Sequence, residues 1–290
     1  MRILHYLSDT GPALAVVAAD HTLFSLQGTP WAHLSMIDIL GMTTQQQHTL
    51  AADVQAQSST TLSMDQVQYV TPVLRPGKVV CLGLNYYDHA AESGHSKPEY
   101  PSFFLRAADS LLPHAQPMIR PACSIKLDYE AELAVIIGTQ CRHASVDQAL
   151  SFVGGYSCFN DGSLRDYQHK TSQWTLGKNF DATGAFGPVL VTPDELPAGA
   201  SGLDISTRLN GQIMQSDNTR NMVFTVAEAI AMLSQCMTLY PGDVIAMGTP
   251  AGVGSARKPP VWMKEGDTVE ICIEGIGTLR NPVHDEVPVA

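Results

Sequence analysis

The stretch KLDYEAELAVIIG, residues 126–138, contains the alternation that decides the fold. Successive side chains of a strand point to opposite faces, so the odd-numbered residues from Leu127 to Ile137 form one continuous apolar face. The opposite face carries Glu130 and Glu132, and two aliphatic residues follow them on that face. Apolar side chains on both faces of the second half predict a strand that is buried inside a sheet-rich protein.

Short apolar runs separated by glycine and proline continue on both sides of this strand. Their spacing predicts a mostly β (α+β) fold, with a rolled, barrel-like sheet in the main part of the chain, residues 71–290. Residues 1–70 combine three short strands with a helix near 43–57, and we expect them to form a small N-terminal α+β domain. Further strands are expected at 79–82, 103–105, 153–159, 188–191, 205–209, 244–247 and 268–273, and further helices at 145–152 and 226–235.

Composition and charge exclude several classes of protein. Lys and Arg number 17 against 28 Asp and Glu, and the net charge of −11 repels nucleic acid. The longest aliphatic run, Leu133–Ile137, is far shorter than the roughly 20 residues that span a bilayer, so we expect no contact with a membrane. The N-terminal residues lack the regions of a signal peptide, which favours the cytoplasm. None of the six cysteines lies in a CxxC pattern, which argues against structural zinc.

Three carboxylates form the first candidate site. Glu130 and Glu132 lie about 7 Å apart along one strand face, so their side chains can converge on one point. Asp161 follows the next predicted strand, within the turn-like sequence NDG at 160–162. An acidic face toward solvent and a simple turn are the alternatives. Three carboxylates with no Cys or His among them suit a hard cation, Mg²⁺ or Mn²⁺.

A histidine and a glutamate form the second candidate site. His89 and Glu92 lie three residues apart in NYYDHAAE, residues 85–92, and are neighbours on one helical turn. A carboxylate-oriented imidazole suits a general base near neutral pH, although a surface pair has the same spacing. Further donors and cations come from motifs that are also typical of turns or surface charges: Arg165 and Gln168 in SLRDYQ, Lys178 in GKNFD, and Thr249 in GTPAGVG.

Five motifs occur in an order and spacing that resemble the fumarylacetoacetate hydrolase family, over residues 72–285. They are NYYDHAAE, DYEAELAVIIG, NDGSLRDYQ, GKNFD and PGDVIAMGTPAGVG. The resemblance is to the acylpyruvase and hydroxyheptadienedioate isomerase-like branch, and it implies a β-rich catalytic domain in a homodimer. It also implies one Mg²⁺ or Mn²⁺ per subunit, at the positions here occupied by Glu130, Glu132 and Asp161.

The resemblance further implies a role for each remaining candidate residue. His89 and Glu92 resemble a water-activating dyad on a mobile lid. Thr249 resembles the contact to the substrate carboxylate, and Tyr86 is expected against the substrate as well. Where many members carry Lys, this chain has Arg106, which is also expected against the substrate. The groups expected to stabilise the oxyanion and the enolate are Arg165, Gln168 and Lys178.

The implied reaction is hydrolysis of a carbon–carbon bond in a 2,4-dioxo acid of the acylpyruvate or fumarylpyruvate type. It gives pyruvate and a carboxylic acid, a step expected in the catabolism of aromatic or sugar acids. Isomerisation, tautomerisation or decarboxylation of a 2-oxo dicarboxylic acid at the same metal site is the alternative. A metal-binding relative without catalysis is a third interpretation. A small oxo acid is the expected partner in both enzymatic cases.

Overall fold

The structure is a computed structural model that describes residues 1–92 and 99–287, with the backbone alone at 89–91. Sheet is the dominant regular structure there, which confirms the mostly β fold predicted from the sequence. The described strands are β1 (Arg2–Ser8), β2 (Gly11–Val17), β3 (Thr22–Ser25), β4 (Thr61–Ser63), β5 (Gln68–Tyr69), β6 (Val79–Gly83), β7 (Ser102–Arg106), β8 (Leu111–Pro113), β9 (Met118–Arg120), β10 (Leu127–Asp128), β11 (Ala131–Ile137), β12 (Val153–Asp161), β13 (Ser163–Leu164), β14 (Gly184–Val191), β15 (Asp204–Leu209), β16 (Gln212–Asn218), β17 (Val244–Ala246), β18 (Thr268–Ile273) and β19 (Gly277–Asp285).

The described helices are short, and capping boxes start some of them. The Thr43 side chain accepts the backbone N–H of Gln46, whose own side chain accepts the backbone N–H of Thr43. Thr225 and Glu228 repeat this arrangement at the start of the helix Val226–Cys236. Each reciprocal pair satisfies two backbone donors that a helix start leaves open. The helices are α1 (Met36–Leu40), α2 (Thr44–Gln57), α3 (Tyr87–Glu92), α4 (Val146–Ala149), α5 (Arg165–Gln168), α6 (Thr175–Lys178) and α7 (Val226–Cys236).

Two sheets enclose the main core. The larger has the order β4-β3-β2-β1-β14-β12-β11-β17-β6-β7, with β5 paired to β1 and β8 to β14. The smaller has the order β16-β15-β18-β19-β9. Leu133 from β11 and Ile271 from β18 belong to one buried cluster, so the two sheets share a core. Within the described ranges the larger sheet is open, since its path ends at β4 and β7 without closing into a barrel.

Strand β11 confirms the alternation predicted from the sequence. Leu133 and Val135 pack in the core shared by the two sheets, whereas Ala134 packs in a second buried cluster on the opposite face. All residues of β11 are buried, so both of its faces are covered. The strand predicted over residues 126–137 is not continuous, because Tyr129 and Glu130 lie between β10 and β11 and belong to neither strand. The predicted single strand is therefore two strands with a break at the first glutamate.

Residues 1–70 contribute strands to the same large sheet. β1 pairs antiparallel with β14, and Ile3 lies opposite Leu190. Leu50 and Val54 of α2 pack in the second buried cluster. Backbone hydrogen bonds thus join the first strands to the main part of the chain, and the division into two domains near residue 70 stays a prediction. No helix in the described ranges is both long and apolar enough to cross a membrane.

His114 has surroundings that disfavour its charged form. Its Nδ1 accepts a hydrogen bond from the backbone N–H of Arg280 at 3.0 Å, and its ring contacts Tyr69 edge-on. Burial, followed by the charge of Arg280, lowers the pKa of His114 from 6.5 to about 4. The unfolded chain takes up this proton near the ordinary pKa, so the folded state loses stability as the pH falls from there.

We expect His114→Gln to remove this pH dependence, because glutamine retains an acceptor for the Arg280 N–H but does not titrate. The difference in free energy of unfolding between the wild-type protein and the variant should shift by on the order of 2 kcal/mol between pH 6.5 and pH 4. Urea denaturation at both pH values measures it, with the exposed His33→Gln as control. A difference that stays constant over this range would contradict the assignment.

Candidate active site

Two paired strands bring three carboxylates together. β11 pairs antiparallel with β12, and Glu132 lies opposite Phe159. Asp161 ends β12, and its backbone N–H donates to the carbonyl of Glu130 at 3.0 Å. One oxygen from each of Glu130, Glu132 and Asp161 lies within 4.8 Å of the others, and all three residues are buried. The three residues predicted as metal ligands therefore form one cluster, called here the carboxylate cluster.

Buried cations contact the carboxylate cluster. Lys178 Nζ lies 2.5 Å from Glu130 Oε2 and 2.6 Å from Asp161 Oδ2. Arg165 Nη2 donates to Glu130 Oε1 at 2.7 Å, and its Nε donates to Asp128 Oδ2 at 2.8 Å. Burial alone would lower the pKa of Lys178, but Asp161 and Glu130 raise it above its ordinary value. The amine and the guanidinium therefore stay charged between the carboxylates.

Glu132 is the member of the cluster whose charge is least compensated. The backbone N–H of Gly248 donates to Glu132 Oε2 at 2.9 Å, and no ion pair joins Glu132 to a cation among the described residues. Burial, followed by the charges of Asp161 and Glu130, raises the pKa of Glu132 well above its usual range. A divalent cation would stabilise such converging anionic oxygens. Carboxylate oxygens alone fit Mg²⁺ or Mn²⁺, which the three members of the cluster would hold.

A cavity of about 330 Å³ opens over the carboxylate cluster. Arg165, Gln168, Lys178 and Thr249 line it together with the three carboxylates. The cationic and hydrogen-bonding residues predicted from separate sequence motifs thus line one cavity. A ligand in this cavity would meet anionic oxygens, positive charge and neutral hydrogen-bond donors at the same time.

Aromatic rings form one wall of the cavity, and sequence reasoning missed this wall. Phe104 and Trp174 both line the cavity, with ring centroids 5.5 Å apart in an edge-on arrangement. Lys178 Nζ lies 5.1 Å from the Phe104 ring centroid. Trp174 also explains why residue 83 is a glycine, because a Cβ atom there would lie 2.2 Å from the indole ring. Aromatic residues are so common in cores that their presence in a motif carried no signal of a site.

Gln168 presents a hydrogen-bond donor to the cavity. Arg165 Nη1 lies 2.9 Å from Gln168 Oε1, and because a guanidinium only donates, the facing atom is the amide oxygen. The amide nitrogen of Gln168 is thereby left to donate to a ligand. Asp128, a further residue that sequence reasoning missed, holds Arg165 in place and accepts the backbone N–H of Gly254 at 2.7 Å.

Glu92 marks the rim of the cavity. It ends α3, and its carboxylate oxygens accept the backbone N–H of Gly252 at 3.1 and 3.2 Å. The backbone of His89 lies on the same helix, but the His89 side chain lies outside the described residues. We expect the lid to span residues 86–96, and residues 93–96 also lie outside the described ranges. The dyad and the lid therefore stay predictions.

Two residues expected against the substrate do not line the cavity. Arg106 lies behind the carboxylate cluster, where its Nη1 donates to Asp161 Oδ1 at 2.5 Å and its Nη2 to Thr183 Oγ1 at 2.8 Å. Its side chain is fully buried, so it supports a candidate metal ligand. Tyr86 is fully buried in the main core, and burial raises the pKa of its hydroxyl. Each side chain packs away from the cavity in this structure, and the two substrate contacts stay predictions.

Known proteins resemble this chain in both sequence and structure. The fumarylacetoacetate (FAA) hydrolase C-terminal family matches residues 78–284. The chain is 44% identical over 219 residues to "Oxaloacetate tautomerase Fahd2a, mitochondrial" from Rattus norvegicus, a match that covers 75% of this chain and 70% of the relative. A fumarylacetoacetate hydrolase from the psychrophile Exiguobacterium antarcticum has a TM-score of 0.86 and 35% identity, with coverage of 99% of this chain and 100% of that chain.

A second solved structure also resembles this chain over nearly its whole length. The 2-hydroxyhepta-2,4-diene-1,7-dioate isomerase from Mycobacterium marinum has a TM-score of 0.78 and 32% identity, again over 99% of this chain and 100% of that chain. The two solved structures have the fold of this chain but are named for different reactions. The chain belongs to the fumarylacetoacetate hydrolase family, as its motifs predicted.

Proposed function

We propose that this protein is a divalent-metal-dependent enzyme that interconverts the keto and enol forms of a 2-oxo dicarboxylic acid such as oxaloacetate. The buried carboxylate cluster beneath a cavity of about 330 Å³ carries this proposal. That volume is at the lower end of the roughly 300–1,000 Å³ typical of ligand sites, which favours a small acid. The relative named oxaloacetate tautomerase supports the same substrate class. We therefore rank tautomerisation above hydrolysis, the reaction that the sequence alone favoured.

The charge of each residue in the cavity determines its proposed role. Glu130, Glu132 and Asp161 would hold the cation, which supplies Lewis acidity toward the carboxylate and 2-oxo oxygens of the acid. Lys178 stabilises negative charge on the 2-oxo oxygen, because its buried amine lines the cavity and stays protonated. The Gln168 amide adds a neutral donor whose hydrogen bond strengthens as that charge develops.

The reaction moves one proton from oxygen to carbon. The enol loses the proton of its C2 hydroxyl and takes up a proton at C3, while the C2–C3 double bond becomes a C2–O double bond. His89 is the proposed base, with Glu92 held at the rim by the Gly252 N–H. Thr249 donates to the carboxylate next to the 2-oxo group, which keeps the acid and its C3 atom in one orientation.

Product analysis with a panel of oxo acids tests this proposal. Protein is stripped with a chelator, reloaded with Mn²⁺ and given enol-oxaloacetate or one of a series of acylpyruvates. We expect the enol absorbance of oxaloacetate to decay without release of CO₂, and faster than any acylpyruvate is cleaved. Pyruvate and a carboxylic acid as the fastest products would make hydrolysis the main reaction, whereas CO₂ would make it decarboxylation.

Hydrolysis of an acylpyruvate is the second candidate function, and the position of Glu92 favours it. Hydrolysis needs a base that activates water, and the Glu92 carboxylate lines the cavity within one helical turn of His89. Water adds to the distal carbonyl, and cleavage of the carbon–carbon bond gives a carboxylic acid and a pyruvate enolate, which then takes up a proton. Lys178 and Gln168 serve both reactions, because each reaction places negative charge on the 2-oxo oxygen.

His89→Ala is expected to lower acylpyruvate hydrolysis by about 10²–10⁴, the usual contribution of a general base. Mn²⁺ affinity should stay unchanged, because His89 is not among the predicted ligands. Steady-state kinetics and calorimetry measure the two quantities, and His33→Ala on the exposed surface is the control. Full hydrolytic turnover in His89→Ala would transfer the role of base to another group.

The homodimer, the cytoplasmic location and a role in the catabolism of aromatic or sugar acids are further parts of this proposal. The rat relative is named as a mitochondrial protein, and fractionation of cells that express this protein tests the cytoplasmic location. Sedimentation analysis of the purified protein tests the homodimer.

A further inference from the structure

A buried glutamine from the smaller sheet reaches the candidate active site. Gln215 lies on β16 and is 1% exposed. Its Oε1 accepts the backbone N–H of Ala131 at 3.0 Å and the hydroxyl of Thr207 at 2.6 Å. Its Nε2 lies 2.8 Å from Thr249 Oγ1 and 2.7 Å from the carbonyl oxygen of Pro250. Every polar atom of this amide is therefore engaged.

Two of these partners determine the orientation of the amide. The Ala131 N–H can only donate, so the atom that faces it is the oxygen of Gln215. The Pro250 carbonyl can only accept, so the atom that faces it is the nitrogen. That nitrogen consequently donates to the hydroxyl oxygen of Thr249 as well. The proton of the Thr249 hydroxyl has no acceptor among the described residues, and Thr249 lines the cavity.

We propose that Gln215 is a positioning residue that sets the polarity of the Thr249 hydroxyl, so that this hydroxyl donates its proton into the cavity. The inference rests on the proposed function, because it takes the substrate carboxylate as the group that Thr249 contacts. A free hydroxyl can donate or accept, but one that already accepts a buried hydrogen bond presents its proton. A donor set in advance favours an anionic oxygen over the amide nitrogen of an uncharged analogue.

Gln215 also has a structural role, which the experiment must separate from its effect on Thr249. Its oxygen holds Ala131, which lies between Glu130 and Glu132 in the chain. A substitution could therefore act through the carboxylate cluster. The affinity for Mn²⁺ reports on that route, whereas the affinity for a carboxylate substrate reports on Thr249.

The test compares Thr249→Val, Gln215→Met and the double variant, each reloaded with Mn²⁺. We expect each single substitution to raise KM for oxaloacetate by about tenfold, the effect of losing one hydrogen bond to a charged group, while kcat changes little. The double variant should be no worse than Thr249→Val alone, because both substitutions remove the same interaction. The Kd of oxalate should follow KM, and Mn²⁺ affinity should not change.

Thr207→Val is the matched control, because it removes a hydrogen bond to Gln215 on the side away from Thr249. It should lower stability and leave KM unchanged. If Gln215→Met does not fold, Gln215→Glu replaces it, since this side chain keeps the oxygen that faces Ala131 but has at most one proton for Thr249 and Pro250.

Three results overturn the inference. In the first, the folded Gln215 variant keeps the wild-type KM for oxaloacetate and the wild-type Kd of oxalate, while Thr249→Val raises both. Another is a loss of Mn²⁺ affinity that accompanies the rise in KM, and the third is an unchanged oxalate Kd in Thr249→Val. Failure of the proposed function is a different result, namely no metal-dependent turnover of any oxo acid by the wild-type protein, and the oxalate measurements still test Gln215 in that case.

Discussion

Glu132→Gln is expected to abolish Mn²⁺ binding at the carboxylate cluster. Substitutions that merely disturb the support of a metal ligand lower affinity about 10- to 100-fold, so loss of the ligand itself should lower it at least about a hundredfold. The apoprotein should stay folded, because the new amide oxygen still accepts the Gly248 N–H and because an uncharged amide replaces a buried carboxyl group whose charged form is disfavoured. Calorimetry measures the affinity, and thermal unfolding measures the stability.

Glu270→Gln is the matched control for this variant. Glu270 lies on β18, where its Oε1 is 3.7 Å from Arg280 Nε, and it does not line the cavity. Its substitution removes a carboxylate elsewhere in the fold and should leave Mn²⁺ binding as in the wild-type protein. Unchanged binding in Glu132→Gln would mean that the cluster does not hold the metal.

Lys178→Met is expected to lower turnover about a thousandfold while Mn²⁺ binding is retained. Loss of one preorganised donor at a developing oxyanion typically costs about 10²–10³ in rate, and Lys178 supplies a full charge. The apoprotein should lose about 3–5 kcal/mol of stability, because Glu130 and Asp161 lose the buried cation that they share. Mn²⁺ should restore part of that stability, since it supplies positive charge to the same oxygens.

Lys78→Met controls for the loss of a lysine ion pair outside the site. Lys78 Nζ lies 2.6 Å from Asp243 Oδ2, whose side chain is 2% exposed, and Lys78 does not line the cavity. This variant should lose stability and keep the wild-type turnover. Wild-type turnover in fully Mn²⁺-loaded Lys178→Met would exclude Lys178 from charge stabilisation.

The carboxylate cluster was predictable because its signal is local and unusual. Glu130 and Glu132 lie at the start of a run that is apolar on both faces, and a buried strand tolerates charge only where partners exist. Asp161 follows at the end of the next strand, and antiparallel pairing of β11 with β12 brings it back to Glu130. Alternation and chain order were sufficient for this part of the site.

The support of the site was not predictable in the same way. Gln215 lies in QIMQSDN, residues 212–218, a mostly polar stretch without apolar alternation that pairs with β15 as strand β16. Motif proximity also gave no indication that Tyr86 and Arg106 pack away from the cavity. A motif indicates that a residue lies near a site, but it does not indicate whether the side chain faces the cavity. For Arg106 the direction depends on a tertiary contact, its hydrogen bond to Thr183 behind Asp161.

The break at Glu130 is a further limit of reasoning from periodicity. An alternating pattern predicts one continuous strand over 126–137, yet the Glu130 N–H bonds to the side-chain Oδ1 of Asn160 at 2.9 Å rather than to a strand partner's backbone. This contact depends on a side chain 30 residues away. No local pattern could have indicated it.

The central claim is that keto–enol chemistry depends on a divalent cation held by Glu130, Glu132 and Asp161. The most direct measurement is the rate at which metal-stripped protein converts enol-oxaloacetate to the keto form as Mn²⁺ is added. We expect the rate to rise from the uncatalysed value and to saturate, with its midpoint at the Mn²⁺ concentration that half-fills the site in calorimetry. Full activity without Mn²⁺, or a rate unrelated to occupancy of the site, would contradict the claim.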